Sequence, residues 1–393
     1  MDERRGHIIV LVLSLCCFTL GCAQQFILGV PQEVADSCGV ALADISYMQL
    51  AFGVFNAIGT PIVLTFSERM GQKRQLIIGM SFMACGMIMT ALLSNFVLLV
   101  IARGIMGIGN GTFVAVAYAV AAKVSQPGQH ATAMANVALG FSAATVLAMP
   151  IARSTQDLIS WHQGYGILSI LAIISIIIVA IKVPEVGFAS KKNASFQERI
   201  APLEHRPVIF AVLATFFTFM SMSTTYTYIT PLLEEILPDV SLVGFALLIL
   251  GAVSILGTKI GGLASDKLGI TRSLIGVLAV QSIVLAVTGA SISITALSFI
   301  PLCLWMLTTW SFLPSENLFL TEVAPDSPGL AVGLSNSGVQ FGNAIGAVVA
   351  GLVVAYATVE VVAWFSLIFT LIALIFEINA IRRGRRALAQ FNS

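Results

Sequence analysis

Residues 67–75, SERMGQKRQ, form a hydrophilic island between two long apolar runs, and the island occurs twice. The second copy is residues 261–272, GGLASDKLGITR, where Asp266 falls on Glu68, Lys267 on Arg69 and Gly269 on Gly71. Asp266 follows Glu68 by 198 residues in a chain of 393, which is half its length. Other landmarks keep the same order. Pro231 lies 200 residues after Pro31, Asn336 lies 200 after Asn136, and Lys123–Val124 falls on Val323–Ala324. Such self-similarity marks two copies of one structural unit, so each half must solve the same folding problem.

Composition sets the solvent in which it is solved. Charged residues are 10% of the chain, apolar residues 58% and mean hydropathy +0.96, against about 25% charged residues in soluble domains. Runs of about 20 apolar residues cross about 30 Å of hydrocarbon as helices. In lipid only a helix or a closed barrel satisfies its own backbone. The runs are long and lack period-two alternation, which excludes the barrel.

The expected spans are residues 8–28, 44–66, 75–93, 96–122, 131–152 and 164–183, then 208–232, 242–264, 273–290, 294–321, 329–356 and 361–381. This predicts an all-α membrane protein of twelve transmembrane helices in two six-helix pseudo-repeats, 1–183 and 207–393, joined by a cytoplasmic linker, 184–206. Arg4 and Arg5 before the first run suggest a signal peptide, but no small-residue cleavage site follows and Gln24–Gln25–Phe26 carry the run on to Pro31. It reads as the first helix.

Lysine and arginine orient the chain. With both termini cytoplasmic, the inner segments hold Arg69, Lys73, Arg74, Lys123, Lys182, Lys267, Arg272 and the Arg382–Arg386 tail, whereas the outer loops hold only Arg153 among acids such as Glu33, Asp36, Asp157, Glu234, Glu235 and Glu360. The basic linker serves topology and lipid phosphates, not nucleic acid. The six cysteines have no metal spacing. No phosphate-cradling loop and no nucleophile–base cluster stands out, so neither an ATP-driven pump, an enzyme nor a cofactor is expected.

Two six-helix halves, a long central loop and an acid/base/glycine loop after the second span of each half resemble the major facilitator superfamily. The second loop keeps Gly262, Asp266, Lys267 and Gly269; the first has Leu64 at the first glycine and Glu68 for the aspartate. IARGIMGIGNG at 101–111, the proline-ended fifth span with the following Trp161, and LPSENLFLTEVAPDSPG at 313–329 are similar to the twelve-span drug/proton antiporter branch and its arabinose-efflux-permease-like group. Gly140 and Pro150 of the antiporter motif are present, but Met149 and Ala152 replace expected glycines.

The resemblance implies a central cavity lined by spans one, four, seven and ten, where a repeat fold binds substrate near the midplane. Those spans hold most of the polar groups, whereas three, six, nine and twelve read as nearly featureless. The expected substrate contacts are Gln24, Gln25, Arg103, Asn110, Tyr226, Tyr228, Trp305, Thr309, Asn336 and Gln340. Hydroxyls and amides on membrane helices also serve as glue between helices. Gln24 and Gln25 point about 100° apart, so at most one faces a cavity centre.

Ionisable groups inside a membrane are costly and therefore informative. Arg103, Lys259 and Glu316 stand out. The family's arginine in span four is associated with proton or substrate handling, which Arg103 matches. Lys259 lies seven residues before Asp266 and Glu316 six before Glu322, so both sit about 9–10 Å inside the cytoplasmic boundary. Opposite charges at one depth suggest a compensating pair in which Glu316 binds the coupling proton. Glu68, Arg69, Gly71, Arg74, Asp266, Lys267 and Gly269 are the expected gating loops, whose acids meet or lose the positive end of a helix dipole as the carrier changes state.

The expectation is a secondary active transporter that works by alternating access and exports a sugar, nucleoside or amphipathic drug in exchange for protons. A proton-linked importer or uncoupled facilitator is the alternative, and a membrane receptor or scaffold the alternative outside transport. Family habit implies a monomer in a bacterial plasma membrane, with lipid as its surroundings.

Overall fold

The computed structural model describes residues 3–67, 70–126, 130–185, 206–291, 298–324 and 328–391. Its first half contains α1 (Glu3–Gly29), α2 (Pro31–Cys38), α3 (Ile45–Phe66), α4 (Gln72–Leu92), α5 (Phe96–Val124), α6 (His130–Thr155) and α7 (Trp161–Lys182). Its second half contains α8 (Arg206–Tyr226), α9 (Ile229–Ile236), α10 (Val243–Leu268), α11 (Ile270–Ser291), α12 (Phe299–Val323), α13 (Pro328–Tyr356) and α14 (Val362–Phe391). Among the described residues there is no strand.

The repeat is legible in these boundaries. Short helices α2 and α9 begin at Pro31 and Ile229, 3-10 turns begin at Leu42 and Val240, and α4 and α11 begin at Gln72 and Ile270. Helices α6 and α13 begin at His130 and Pro328. Each of these pairs differs by 198 (for example 270 − 72).

Eleven helices among the described residues are long and apolar enough to cross a membrane. The remaining long helix, α12, has 25 residues, enough for the hydrocarbon core. Its apolar content is diluted by Trp305, Thr308, Thr309, Trp310, Ser311, Ser315 and Glu316, all set around Pro314. The expected run 208–232 is not one helix, which corrects the seventh span. It stops at Tyr226 and resumes as α9 at Ile229. Pro231 cannot donate to the carbonyl of Thr227, and the chain breaks where that hydrogen bond is missing.

The chain divides into two units, Met1–Asn193 and Ala194–Ser393, with the boundary inside the expected linker. Within the first unit α1 packs on α6 and α7, α5 on α3 and α4, and α4 on α7. The second unit repeats this scheme, with α8 on α13 and α14, α12 on α10 and α11, and α11 on α14.

Small residues permit the close approaches. Gly257 and Gly261 on α10 lie against the carbonyls of Leu307 and Ser311 on α12. Gly338, Gly342 and Gly346, four residues apart on α13, lie against Val212, Phe216 and Met220 of α8. In the first unit Gly140 of α6 lies against Ser14 of α1, and α5 adds a small face of its own, where Gly107 and Gly111 meet Phe52, Asn56 and Thr60 of α3. Membrane helices lack a hydrophobic drive toward one another, so packing and interhelical hydrogen bonds carry the association.

Candidate functional site

In the first unit the polar centre is Arg103, the eighth residue of α5 and fully buried. Its Nη1 donates to the carbonyl of Ala23 at 3.0 Å and to Tyr165 Oη at 3.5 Å, and its Nη2 donates to the carbonyl of Gln24 at 3.1 Å and to Gln49 Oε1. The guanidinium stands 5.0 Å from the centroid of the Phe52 ring. Tyr165 Oη donates to the same Ala23 carbonyl at 2.9 Å. A single side chain thus ties α5 to α1, α3 and α7. All four acceptors are neutral oxygens, so the charge is held by dipoles and a ring face.

Around that knot, some expected contacts keep free valences. Gln25 and Asn110 are buried and Gln24 half-buried. Gln24 Oε1 and Asn110 Oδ1 are buried without a hydrogen-bond partner, as are Asn56 Nδ2, Thr60 Oγ1 and Thr112 Oγ1. Buried polar atoms are normally paired, and each exception needs an explanation.

In the second unit most hydroxyls of α8 are already used. Ser221 donates to the Ser366 carbonyl at 2.8 Å, Ser223 to the Asn343 carbonyl at 2.7 Å, and Thr224 to the carbonyls of Met220 and Gly346. Thr225 pairs with Ser366 Oγ at 2.8 Å. These groups bind α8 to α13 and α14. Thr309 bonds the Trp305 carbonyl within its own helix at 2.9 Å. Tyr226, Tyr228 and Trp305 are buried, Gln340 is half-buried and Asn336 is exposed. The indole nitrogens of Trp305 and Trp310 have no partner.

Glu316 of α12 is fully buried, and the structure does not bring Lys259 to it. Lys259 lies on an exposed face of α10 with Ile255, Leu256 and Ile260. The group beside Glu316 is Glu377 of α14, also fully buried, with the Thr215 hydroxyl of α8 adjacent. None of the four carboxylate oxygens has a hydrogen-bond donor in place. Span twelve is therefore not featureless, and Glu377 is a fourth ionisable group at membrane depth. It stands five residues before Arg382, at the edge of the polar tail, and this position hides it in the sequence.

The repeat supplies a control for this site. An offset of 198 places Cys17 at Thr215 and Val179 at Glu377. Gly59 meets Ile108 where Gly257 meets Leu307, an offset of 199 on this helix (307 − 108), which places Ala117 at Glu316. Cys17, Ala117 and Val179 are all buried. The first repeat has no acid at these positions, so the fold itself does not require two acids there.

Of the expected gating residues, Glu68 and Arg69 lie outside the described residues, and so does most of the linker. Arg74, Asp266 and Lys267 are exposed. Gly269 ends α10 at φ 83° and ψ 149°, a backbone region open essentially to glycine alone. Gly71 begins α4, and the Glu185 carboxylate occupies the space a Cβ would take. Gln75 anchors this first loop from within, donating to the Ser67 carbonyl at 3.0 Å and to Ser67 Oγ at 3.2 Å. Lys123 Nζ donates to Gln72 Oε1 at 3.1 Å.

A family model described as Major Facilitator Superfamily matches residues 11–328 and 212–390. The uncharacterized transporter YbcL of Bacillus subtilis is 26% identical over 371 residues, covering 93% of this chain and 94% of the relative. The putative transporter AraJ of Escherichia coli is 26% identical over 260 residues, 66% of each chain. Among solved structures, a bacterial homologue of the human lysosomal transporter Spinster, inward-facing and unoccupied, superimposes with a TM-score of 0.81 at 16% identity, covering 98% of this chain and 99% of that one. Repeat, helix scheme, family match and relatives agree: the chain belongs to the major facilitator superfamily of membrane transporters.

Proposed function

We propose that this transporter exports a small organic solute in exchange for protons, by alternating access. The observation that carries the reading is the Glu316–Glu377 pair. Two buried carboxylates repel each other strongly, and a shared proton turns the repulsion into a hydrogen bond. A site whose charge changes by one proton inside the membrane is what a proton-driven carrier needs. Arg103, whose Nη1 and Nη2 both donate to neutral oxygens of α1, α3 and α7, positions α1 and leaves proton binding to the second unit.

The unpaired polar atoms support a solute with hydroxyl or amide groups and an apolar face, as in a sugar, nucleoside or amphipathic drug. Gln24 and Asn110 in the first unit and the indoles of Trp305 and Trp310 in the second are the contacts this reading favours. Tyr226, Tyr228, Thr309, Asn336, Gln340 and Gln25 complete the proposed set. Asp266, Lys267, Gly269, Gly71 and Arg74 set the balance of states at the loops. The lysine and arginine bias supports cytoplasmic termini in a bacterial inner membrane.

An importer or an uncoupled facilitator is the second reading, favoured by Met149 and Ala152 where the antiporter motif has glycines. Proteoliposomes loaded with candidate solutes separate them. Outward-directed exchange driven by an imposed pH gradient, lost in Glu316→Gln and Glu377→Gln while solute–solute counterflow persists, is the expected result. Uptake driven by the same gradient supports the importer, and gradient-independent flux supports the facilitator. Absence of saturable counterflow for every solute class would leave a receptor or scaffold.

A further inference from the structure

We propose that the Glu316–Glu377 site holds two monovalent cations, one shared proton and a second ion for which Na+ competes with a second proton. This rests on the proton-coupling reading above and specifies the ions.

The first argument is charge. Two ionised carboxylates carry two negative charges, and one shared proton still leaves one of them at a fully buried position. Among the described side chains of the second unit, none supplies a positive charge to the pair. On α10 and α11, Lys259, Asp266, Lys267 and Arg272 are exposed. On α8 and α14, Arg206 and Arg382 are exposed, and Arg383 stands 4.7 Å from the centroid of the Phe210 ring. Glu322, the other acid of α12, is exposed too, and the described part of α13 bears no charged residue. An unpaired buried charge is costly, so the site is completed by a second cation.

The second argument is the ligand set. Four carboxylate oxygens lack donors. The Thr215 hydroxyl lies beside Glu316, and Thr215 Oγ1 is 3.1 Å from Ser335 Oγ. All four residues are completely buried. They come from α8, α12, α13 and α14, and every donor is a hard oxygen with no nitrogen or sulfur ligand in the set. Hard cations without a preference for soft ligands suit such a shell. A cation bridging two acids also explains why Thr215, Glu316 and Glu377 stand where the first repeat has Cys17, Ala117 and Val179.

The test is thermal unfolding of the purified full-length protein in detergent, in NaCl, KCl or choline chloride at constant ionic strength, between pH 6 and 9. Na+ is expected to raise the Tm above choline, K+ to have little effect, and the apparent Na+ affinity to strengthen by up to about tenfold per pH unit as the competing proton leaves. Glu316→Gln and Glu377→Gln should abolish the Na+ response, and Thr215→Val should weaken it several-fold while the protein still unfolds cooperatively. No Na+-specific shift in the wild type at any pH overturns the proposal, as does a shift that survives in both glutamine variants or is equalled by K+. The proton reading is scored separately in choline. A pH-dependent Tm that both glutamine variants flatten sustains it even where Na+ fails, and an unchanged pH dependence removes it.

Discussion

Arg103 Nη1 reaches the main-chain carbonyl of Ala23 at 3.0 Å, and Tyr165 Oη reaches the same oxygen at 2.9 Å. Two helices therefore grip one point on α1, six residues before its end at Gly29. Hydrogen bonds to charged groups contribute about 1.5–3 kcal/mol each, and lysine cannot reproduce a planar fork. Arg103→Lys should lower stability by about 3 kcal/mol, and Tyr165→Phe by about 1 kcal/mol. Thermal unfolding checks both. If Arg103 acted only as a charge, the lysine variant would retain wild-type stability.

Ser221 and Thr225 are engaged with Ser366 and Thr370 of α14. Their removal should read out in packing. Ser221→Ala and Thr225→Ala are each expected to cost about 1 kcal/mol of stability with little change in transport KM. A large rise in KM at unchanged Tm would place these hydroxyls on the solute instead.

Two adjacent glycines on α10 should behave oppositely. A Cβ on Gly261 would enter the Ser311 carbonyl, whereas nothing lies within 4 Å of the Cβ position of Gly262. Backbone cannot yield as a side chain can. Gly261→Ala should separate α10 from α12 and cost about 1–3 kcal/mol, with Gly262→Ala close to neutral. Equal effects on unfolding would show that the α10–α12 approach is not set by Gly261.

The architecture was legible because apolar length and a half-length repeat are properties of the chain itself. Offsets such as Glu68 to Asp266 return as helix starts at Gln72 and Ile270. The candidate site was legible only in part. Lys259 and Glu316 share a depth, but depth says nothing of azimuth, and each residue turns a helix by about 100°; Lys259 ends on an exposed face. Glu377 was hidden by its closeness to Arg382 and Arg383. The serines and threonines of α8 look like a binding surface in one dimension, and only the positions of α13 and α14 reveal that they are glue. The polarity of α12 also makes it the least typical of the long helices.

The last prediction concerns Glu33 in α2, away from the spans. Its Oε1 accepts from the Trp161 backbone N–H at 3.4 Å, at the first residue of α7, and its Oε2 is buried without a partner. Trp161 is further fixed by its indole, which donates to Ser37 Oγ at 3.1 Å. Burial pushes the Glu33 carboxyl above its ordinary 4.5, against the opposing pull of the Trp161 N–H and His162 and with a smaller upward push from Asp157. A folded-state value above the unfolded one means the native protein binds the proton more tightly. The stability this contributes is fully present below the unfolded value and is lost as pH rises through the folded one. At neutral pH the ionised Glu33 is therefore held against its preference. Glu33→Gln keeps an oxygen for the Trp161 N–H and removes the charge. Its Tm should exceed that of the wild type at pH 7.5, and the difference should shrink steadily as the pH falls towards 4.5. A lower Tm for Glu33→Gln at pH 7.5 would mean that the negative charge at the start of α7, next to His162, stabilises the helix more than burial penalises it.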